Sequence, residues 1–275
     1  MPELPETETI ARDLDRELSG RTITGVVVRK DDVLRDVMPG ALRSRVSGAL
    51  ILRCWRRAKM IVMDLSTGDR LVVQPRFTGA LLLSLGPLPE REGLYSTLHF
   101  ALDDERDLHY RDIRRLGTVA LMSSGQFEQC IGALGVEPLD PAFTVAHLSG
   151  LLRVSTQAVK KVLMDQRKVV GIGNIYANEA CWRAGVDPSR LARDVDDAAT
   201  AALHAGIGSV LKASIAARGT SFRDYRDALG GRGDFERSLA AYGRGGEPCL
   251  RCGARLLETH AIDGRTTVLC AHCQR

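Results

Sequence analysis

The chain has 275 residues, of which 44% are hydrophobic and 26% charged, and its formal net charge is +4. That length and apolar content suffice to bury a core across two modest domains, which excludes a largely disordered protein. No apolar run reaches the roughly 18 residues that a membrane span needs, and the start Met1-Pro2-Glu3-Leu4-Pro5-Glu6 lacks the basic stretch and apolar core of a secretory signal, so a soluble, cytoplasmic protein is expected.

In chain order, 5–18 place Ile10, Leu14 and Leu18 four apart, one apolar stripe on a helix that opens with Pro5, Glu6 and Glu8 as helix N-termini prefer. Short β-rich runs separated by turn residues follow at 22–28, 49–54, 60–65, 71–74, 80–85, 97–102 and 117–122, a spacing that predicts an antiparallel sandwich or barrel. At Glu137-Pro138-Leu139-Asp140-Pro141 the pattern changes, and 135–146 reads as an interdomain linker. From there to Arg218 the chain is mostly helical, with Ser155 or Thr156 available to cap a helix over 158–166. Near the end, 254–257 and 266–269 predict the two strands of a small hairpin. The expected fold class is α+β, with a leading helix and β-sandwich over 1–134, the linker, a helical domain over 147–235 and a metal-bearing hairpin over 236–275.

The seven cysteines are an odd number, and four form two Cys-x2-Cys pairs, Cys249/Cys252 and Cys270/Cys273, separated by 17 residues. Four soft thiolates at the ends of a hairpin suit tetrahedral Zn²⁺ better than disulfides or an iron–sulfur cluster. Such a closed site leaves no coordination position for chemistry, so one structural zinc per chain is expected. Arg265, in Asp263-Gly264-Arg265-Thr266-Thr267, falls on the hairpin turn within reach of a phosphate. Cys54, Cys130 and Cys181 are expected to be buried free thiols. Charge distribution adds to this: from residue 211 onward there are 11 Lys+Arg against 7 Asp+Glu, while the remaining 27 basic and 27 acidic residues cancel. The basic excess therefore lies in the segment with the cysteines, where a polyanion would be attracted.

Removal of Met1 would leave Pro2 as a secondary amine, and an α-amino group, with a pKa of about 7.7–8.0, is partly unprotonated and nucleophilic near neutral pH. It can attack an aldehyde-like sugar carbon to give an iminium, and the carboxylates of Glu3 and Glu6 can shuttle protons. The same residues also fit a helix start whose acids only complement the dipole.

Taken together, the motifs resemble the formamidopyrimidine-DNA glycosylase family over nearly the whole chain. They are Met1-Pro2-Glu3-Leu4-Pro5-Glu6, the lysine of Arg57-Ala58-Lys59, Asp112-Ile113-Arg114-Arg115-Leu116-Gly117, the stretch from Leu163-Met164-Asp165-Gln166 to Val170-Gly171-Ile172-Gly173-Asn174-Ile175-Tyr176-Ala177-Asn178-Glu179, and Tyr242-Gly243-Arg244 ahead of the cysteines. The resemblance implies a β-sandwich, a helix–two-turns–helix domain and a zinc finger. It further implies a monomer acting on damaged double-stranded DNA at the bacterial nucleoid, without a small-molecule cofactor. By the same resemblance Pro2 attacks C1′ of the damaged nucleotide, Glu3 serves as acid and base, and Lys59 contacts a neighbouring phosphate and assists elimination. The outcome is base excision followed by β,δ-elimination. Asn174, Lys160 and Arg265 are implied phosphate contacts, although Lys160 also reads as an ordinary exposed helix lysine.

A base-excising enzyme must extrude its target and hold the stack open with inserted side chains. The family's three inserted residues map to Phe77, Arg114 and Leu116. The family more often has methionine and phenylalanine where this chain has Phe77 and Leu116, and its histidine phosphate contact maps to Gln74. Leu4 and the long segment 220–242 resemble the branch specific for oxidised purines, chiefly 8-oxoguanine and formamidopyrimidines. The alternatives are a member directed at oxidised pyrimidines or abasic sites, and a non-catalytic zinc-finger protein that binds damaged DNA.

Overall fold

Helix α1 (Leu4–Leu18) starts where Glu3 takes an extended backbone, and its first turn closes as a reciprocal box: the Glu3 carboxylate accepts from the Glu6 N–H, and Glu6 Oε2 accepts from the Glu3 N–H at 2.8 Å. The predicted stripe of Ile10, Leu14 and Leu18 is fully buried. In the computed structural model, which describes residues 2–275, the chain forms two units: Met1–Gly132 with Ala217–Asp234, and Ala133–Ala216 with Phe235–Arg275.

The first unit continues through β1 (Ile23–Val28), β2 (Leu34–Arg35), α2 (Pro39–Val46), β3 (Ile51–Arg57), β4 (Met60–Leu65), β5 (Asp69–Gln74), β6 (Gly79–Leu85), the short α3 (Glu90–Gly93), β7 (Ser96–Leu102), β8 (Arg106–Asp112), β9 (Thr118–Ser123) and α4 (Ser124–Ile131). Strands β1-β7-β8-β6 make one antiparallel sheet, and β2-β9-β5-β4-β3 make the other, with β2 parallel to β9. Their inner faces share a core: Leu81, Leu98, Phe100, Leu108 and Tyr110 from one, Ile51, Ile61, Met63, Leu71, Val73, Val119 and Leu121 from the other. The expected sandwich with a leading helix is present. Strand β8 is an addition to the expectation, because the residues at its ends that share the inner-face parity of Leu108 and Tyr110 are charged: Arg106, which pairs with Asp104 and Glu17, and Asp112. Those end charges leave only two apolar residues in the alternation, too few to mark a half-buried strand.

Segment 217–234 was expected within the helical domain. In the structure it packs into the core of the first unit through Tyr225 and Ala228, and the Leu83 N–H donates to the Ala228 carbonyl at 2.8 Å.

The second unit contains α5 (Val145–Arg153), α6 (Val159–Met164), α7 (Asn174–Ala184), α8 (Asp197–Ala216) and the hairpin strands β10 (Leu257–Thr259) and β11 (Thr267–Leu269). Gly206 of α8 lets this helix approach α7, since a Cβ there would sit 3.1 Å from the Ala180 carbonyl. The stretch read as a linker is bound in at its start: Val136 pairs in parallel with Val169, and the Gly135 N–H donates to the Gln166 carbonyl at 2.9 Å. Neither Ser155 nor Thr156 caps α6, whose N-cap is Ala158; the Ser155 hydroxyl accepts from the Gln157 N–H instead. Cys54 and Cys181 are buried thiols as expected, but Cys130 is exposed near the end of α4. Burial drives the Cys54 thiol pKa up, and that of Cys181 to about 12, so neither is a ready nucleophile. Among the described residues no helix is long and apolar enough to cross a membrane.

Candidate nucleic-acid interface and zinc centre

Pro2 and Glu3 immediately precede α1; both are buried, Glu3 to 1% exposure. Lys59 sits in the two-residue turn between β3 and β4, where Arg57 pairs with Met60 and Ala58 is held at φ +54°. A non-glycine residue in the left-handed region costs free energy, so the turn needs support from its surroundings. Arg56 supplies it. Its Nη1 donates to the Ala58 carbonyl at 3.0 Å while its Nε donates to Glu8 Oε2 of α1 at 2.7 Å. Burial raises the Glu8 pKa, but hydrogen bonds and charge from Arg56 and Arg12 outweigh it and hold the carboxyl below its ordinary value. Sequence reasoning missed this pair, which joins the helix behind Pro2 and Glu3 to the turn bearing Lys59. Glu6, weighed as a proton shuttle, is committed elsewhere: its Oε1 accepts from the Thr220 N–H at 2.8 Å.

The three residues matched to the wedge lie on two loops. Phe77 follows β5, and Arg114 and Leu116 follow β8; all three are exposed, Phe77 to 47% and Leu116 to 40%. The Arg114 guanidinium carbon lies 4.9 Å from the centre of the Phe77 ring, within cation–π range. What brings the loops together is Asp112, itself only 1% exposed. Its Oδ1 accepts from the Thr78 hydroxyl at 2.5 Å and the Arg114 N–H at 3.3 Å, and its Oδ2 accepts from the Gly117 N–H at 2.8 Å and the Tyr110 hydroxyl at 3.3 Å. The Arg114 N–H also reaches Thr78 Oγ1 at 3.0 Å. Gly117 is required by close approach, because a Cβ there would stand 1.9 Å from the Tyr110 hydroxyl. Gln74 ends β5 opposite Thr118 and is half-buried at the root of the Phe77 loop.

The adjoining segment 217–234 is fastened to α1 by charge. Arg218 donates to Asp13 at 2.5 Å and to Asp227 at 2.6 Å and 2.9 Å, and both carboxylates are almost wholly buried. Asp227 in turn receives the N–H groups of Leu229 and Gly231 at 3.0 Å and 2.7 Å.

In the second unit, α6 and α7 are joined by turns that Gln166 closes: its Nε2 donates to the Met164 and Ile172 carbonyls, both at 2.9 Å, and its Oε1 accepts from Gly171, a residue with φ +80°. Asn174 thereby opens α7, where N–H groups lack helical partners. Its Nδ2 donates to the Thr266 carbonyl at 3.1 Å. Lys160 differs from both readings of it, since its side chain is fully buried rather than displayed on a helix surface. Its Nζ donates to the Thr266 carbonyl and Thr267 Oγ1, each at 2.8 Å, so it anchors the hairpin turn. The Asn178 carboxamide oxygen accepts from the Val268 N–H at 2.8 Å. Next to this knot Arg265 is exposed, beside a recess of about 200 Å³ also lined by Lys161, Arg167 and Asp263. Glu179 accepts from the N–H groups of Ala240, Ala241 and Tyr242 at 2.8–2.9 Å, fixing the chain just ahead of the cysteines. Burial raises its pKa despite those three bonds.

The sulfurs of Cys249, Cys252, Cys270 and Cys273 lie within 4.8 Å of one another, Cys252 and Cys270 being 3.5 Å apart. A tetrahedral zinc with bonds of about 2.3 Å separates its sulfurs by about 3.8 Å, so the donor set fits a single zinc ion. Trp182 and Leu256 pack around it.

Three family models match the chain: the formamidopyrimidine-DNA glycosylase N-terminal domain over residues 1–119, the H2TH domain of the same family over 134–226, and the zinc finger found in FPG and IleRS over 246–275. A formamidopyrimidine-DNA glycosylase of Xanthomonas euvesicatoria is 39% identical over the full length of both chains, and one of Desulforamulus reducens is 36% identical over 100% of this chain and 99% of the relative. Among solved structures, a complex of Lactococcus lactis Fpg with DNA containing N7-benzyl-Fapy-dG superposes with a TM-score of 0.92 at 30% identity over all of both chains. MutM (Fpg) of Thermus thermophilus superposes with a TM-score of 0.87 at 33% identity over 99% of this chain and 98% of its own.

Proposed function

From the formamidopyrimidine-DNA glycosylase family, to which this chain belongs, we propose that it excises oxidised purines, chiefly 8-oxoguanine and formamidopyrimidines, and nicks the strand through Pro2. It is a zinc-finger DNA repair glycosylase with lyase activity at abasic sites. In the proposed reaction the Pro2 amine attacks C1′ and loses its proton, and the damaged base departs with its bonding electrons. Cleavage of the C1′–O4′ bond with protonation of O4′ opens the sugar to an iminium that makes the C2′ proton acidic. Glu3 moves protons for ring opening and proton abstraction. Loss of the 3′ and then the 5′ phosphate gives β,δ-elimination, and Lys59 receives the phosphate charge. The burial of Glu3 at the helix start, together with the Arg56 tie between α1 and the Lys59 turn, supports these roles. Phosphate contacts are assigned to Gln74, Asn174 and Arg265, with Lys160 supporting them from beneath.

The single observation that carries the reading is the Asp112-centred junction that presents Phe77, Arg114 and Leu116 together as exposed side chains. A protein that only gripped duplex DNA would have no use for an aromatic ring and a guanidinium displayed side by side on loops this firmly held. Specificity for purines is assigned to the long segment 220–242 and to Leu4. Cleavage of duplexes each bearing one defined lesion tests the proposal, with wild type compared against Pro2→Gly. We expect fastest cutting at 8-oxoguanine and formamidopyrimidine, phosphates at both ends of the gap, and no cutting by the variant. Preference for an oxidised pyrimidine would move the enzyme to the other branch, and binding without cutting would leave only a damage-binding protein.

A further inference from the structure

The outer face of the β1-β7-β8-β6 sheet carries a cluster that the repair reaction does not use. His99 of β7 stands directly across from His109 of β8, and Asp107 lies two residues before His109 on the same face. Leu98, Phe100, Leu108 and Tyr110 point the other way into the core. The two imidazoles stack with centroids 4.7 Å apart and planes inclined by 6°. One ligand atom from each of His99, Asp107 and His109 lies within 4.8 Å of the other two. They face a recess of about 200 Å³ covered by Pro87, Leu88 and Gly93.

The hydrogen bonds of Ser96 accommodate the His109 tautomer whose Nε2 is bare. The Ser96 hydroxyl donates to the Leu98 carbonyl at 3.3 Å, which leaves its oxygen to accept from His109 Nδ1 at 3.1 Å. The proton then sits on Nδ1, and Nε2 carries a lone pair. That nitrogen is buried, in a residue only 3% exposed, and has no hydrogen-bond partner. His99 Nε2 lies 2.7 Å from Asp107 Oδ1 without the alignment of a hydrogen bond. An orphaned imidazole lone pair in the interior is costly unless something accepts it, and a neighbouring imidazole and carboxylate complete the donor set that a borderline divalent ion prefers.

We propose that His99, Asp107 and His109 form a second divalent metal site, separate from the four cysteines, that takes a zinc-class ion with water in the fourth position. Two imidazoles and one carboxylate with an open position form an established zinc donor set. Bonds of about 2.0–2.2 Å space tetrahedral ligand atoms by about 3.4 Å, and each imidazole must hold the ion in its own ring plane. The partly exposed His99 ring therefore has to turn out of its stack with His109 for the three ligands to converge. Ser96 holds the buried ligand in the required tautomer, as outer partners of zinc-bound histidines do. The nearby Arg29 guanidinium opposes a cation, but it is exposed, held only by a long 3.5 Å bond from its Nη1 to the Gly93 carbonyl, and Asp107 offsets its charge. Bound metal would staple β7 to β8.

The test is equilibrium dialysis of zinc against protein already holding its cysteine-bound ion, with wild type, His99→Gln and Asp107→Asn compared. Both substituted residues are partly exposed, so the variants keep the fold, which far-UV circular dichroism and their cysteine-bound zinc confirm. Wild type is expected to hold two zinc ions per chain, and each variant to bind the second at least about tenfold more weakly. Cobalt added to the zinc-loaded wild type should give ligand-field bands without thiolate charge transfer, and excess zinc should raise its Tm but not that of the variants. A wild type that stops at one ion, or variants that retain the second with undiminished affinity, would overturn the proposal.

Discussion

Asp112→Ala removes the acceptor at the root of both wedge loops. The Gly117 N–H and the Tyr110 and Thr78 hydroxyls lose the carboxylate that receives them, while Thr78 Oγ1 still accepts from the Arg114 N–H. Each buried donor left unsatisfied costs about 1–3 kcal/mol, so the loss of three acceptor contacts should cost about 3–9 kcal/mol. Asp112→Asn should cost less, about 1–3 kcal/mol, because its amide can face the Thr78 hydroxyl, which can turn and accept, while its oxygen still serves Gly117. If disorder of the loops is charged wholly to insertion into the stack, a loss of about 4 kcal/mol slows excision about a thousandfold. The assay pairs excision from a lesion in duplex DNA with cleavage of a preformed abasic site in single-stranded DNA, which needs no extrusion. Asp112→Ala should fall steeply on the duplex and by only a few-fold on the single strand, with Asp112→Asn between. Equal losses on both substrates would refute the argument, as would an unchanged duplex rate alongside a lowered urea midpoint.

The remaining predictions concern the wedge itself, the metal, the fastened segment and a buried histidine. Phe77→Ala and Arg114→Ala should impair excision opposite a base while leaving single-stranded abasic cleavage comparatively intact, since unstacking a step costs a few kcal/mol that inserted side chains offset. Cys252→Ser should release zinc, unfold the hairpin and abolish duplex binding, measured by metal content and fluorescence anisotropy; native affinity in a metal-free protein would contradict this. Glu6→Ala strips the acceptor from the Thr220 N–H, so hydrogen exchange across 219–225 should quicken by the equivalent of about 1–3 kcal/mol. Burial first, then the charges of His99 and Arg29, lower the His109 pKa to about 4, against the pull of Asp107. The fold thus favours neutral His109, and the stability this confers is complete above the ordinary pKa of about 6.5 and lost as pH falls toward 4, by up to about 3 kcal/mol. Without added metal, His109→Gln should flatten the urea stability profile across that window, and an unchanged profile would refute the assignment.

The zinc centre was legible because ligand spacing is a local property, and so was β4, whose predicted and observed bounds coincide at Met60–Leu65. Helix α1 was legible from its stripe. Strand β8 was not, because Arg106 and Asp112 at its inner-face ends are charged and find their partners far along the chain, Glu17 for the one and Thr78 for the other. Lys160 was misjudged for a related reason: a lysine in a short helix is exposed by default, and only the tertiary placement of Thr266 and Thr267 gives its ammonium somewhere to be buried. The position of 217–234 depends on Arg218 meeting Asp13, a pairing across more than two hundred residues that no local pattern encodes. Asp112 was visible within a motif, but its part in joining two loops emerges only when Thr78, 34 residues away, is seen beside it.

The central claim is that the amine of Pro2 is the nucleophile, and borohydride trapping measures it most directly. Enzyme lacking Met1 is incubated with an 8-oxoguanine duplex and borohydride, and the reduced adduct is digested and mapped by mass spectrometry. The account predicts a covalent adduct on Pro2 alone, and neither adduct nor cleavage from protein that retains Met1. An adduct on a lysine, or normal cleavage by the Met1-retaining protein, would contradict it.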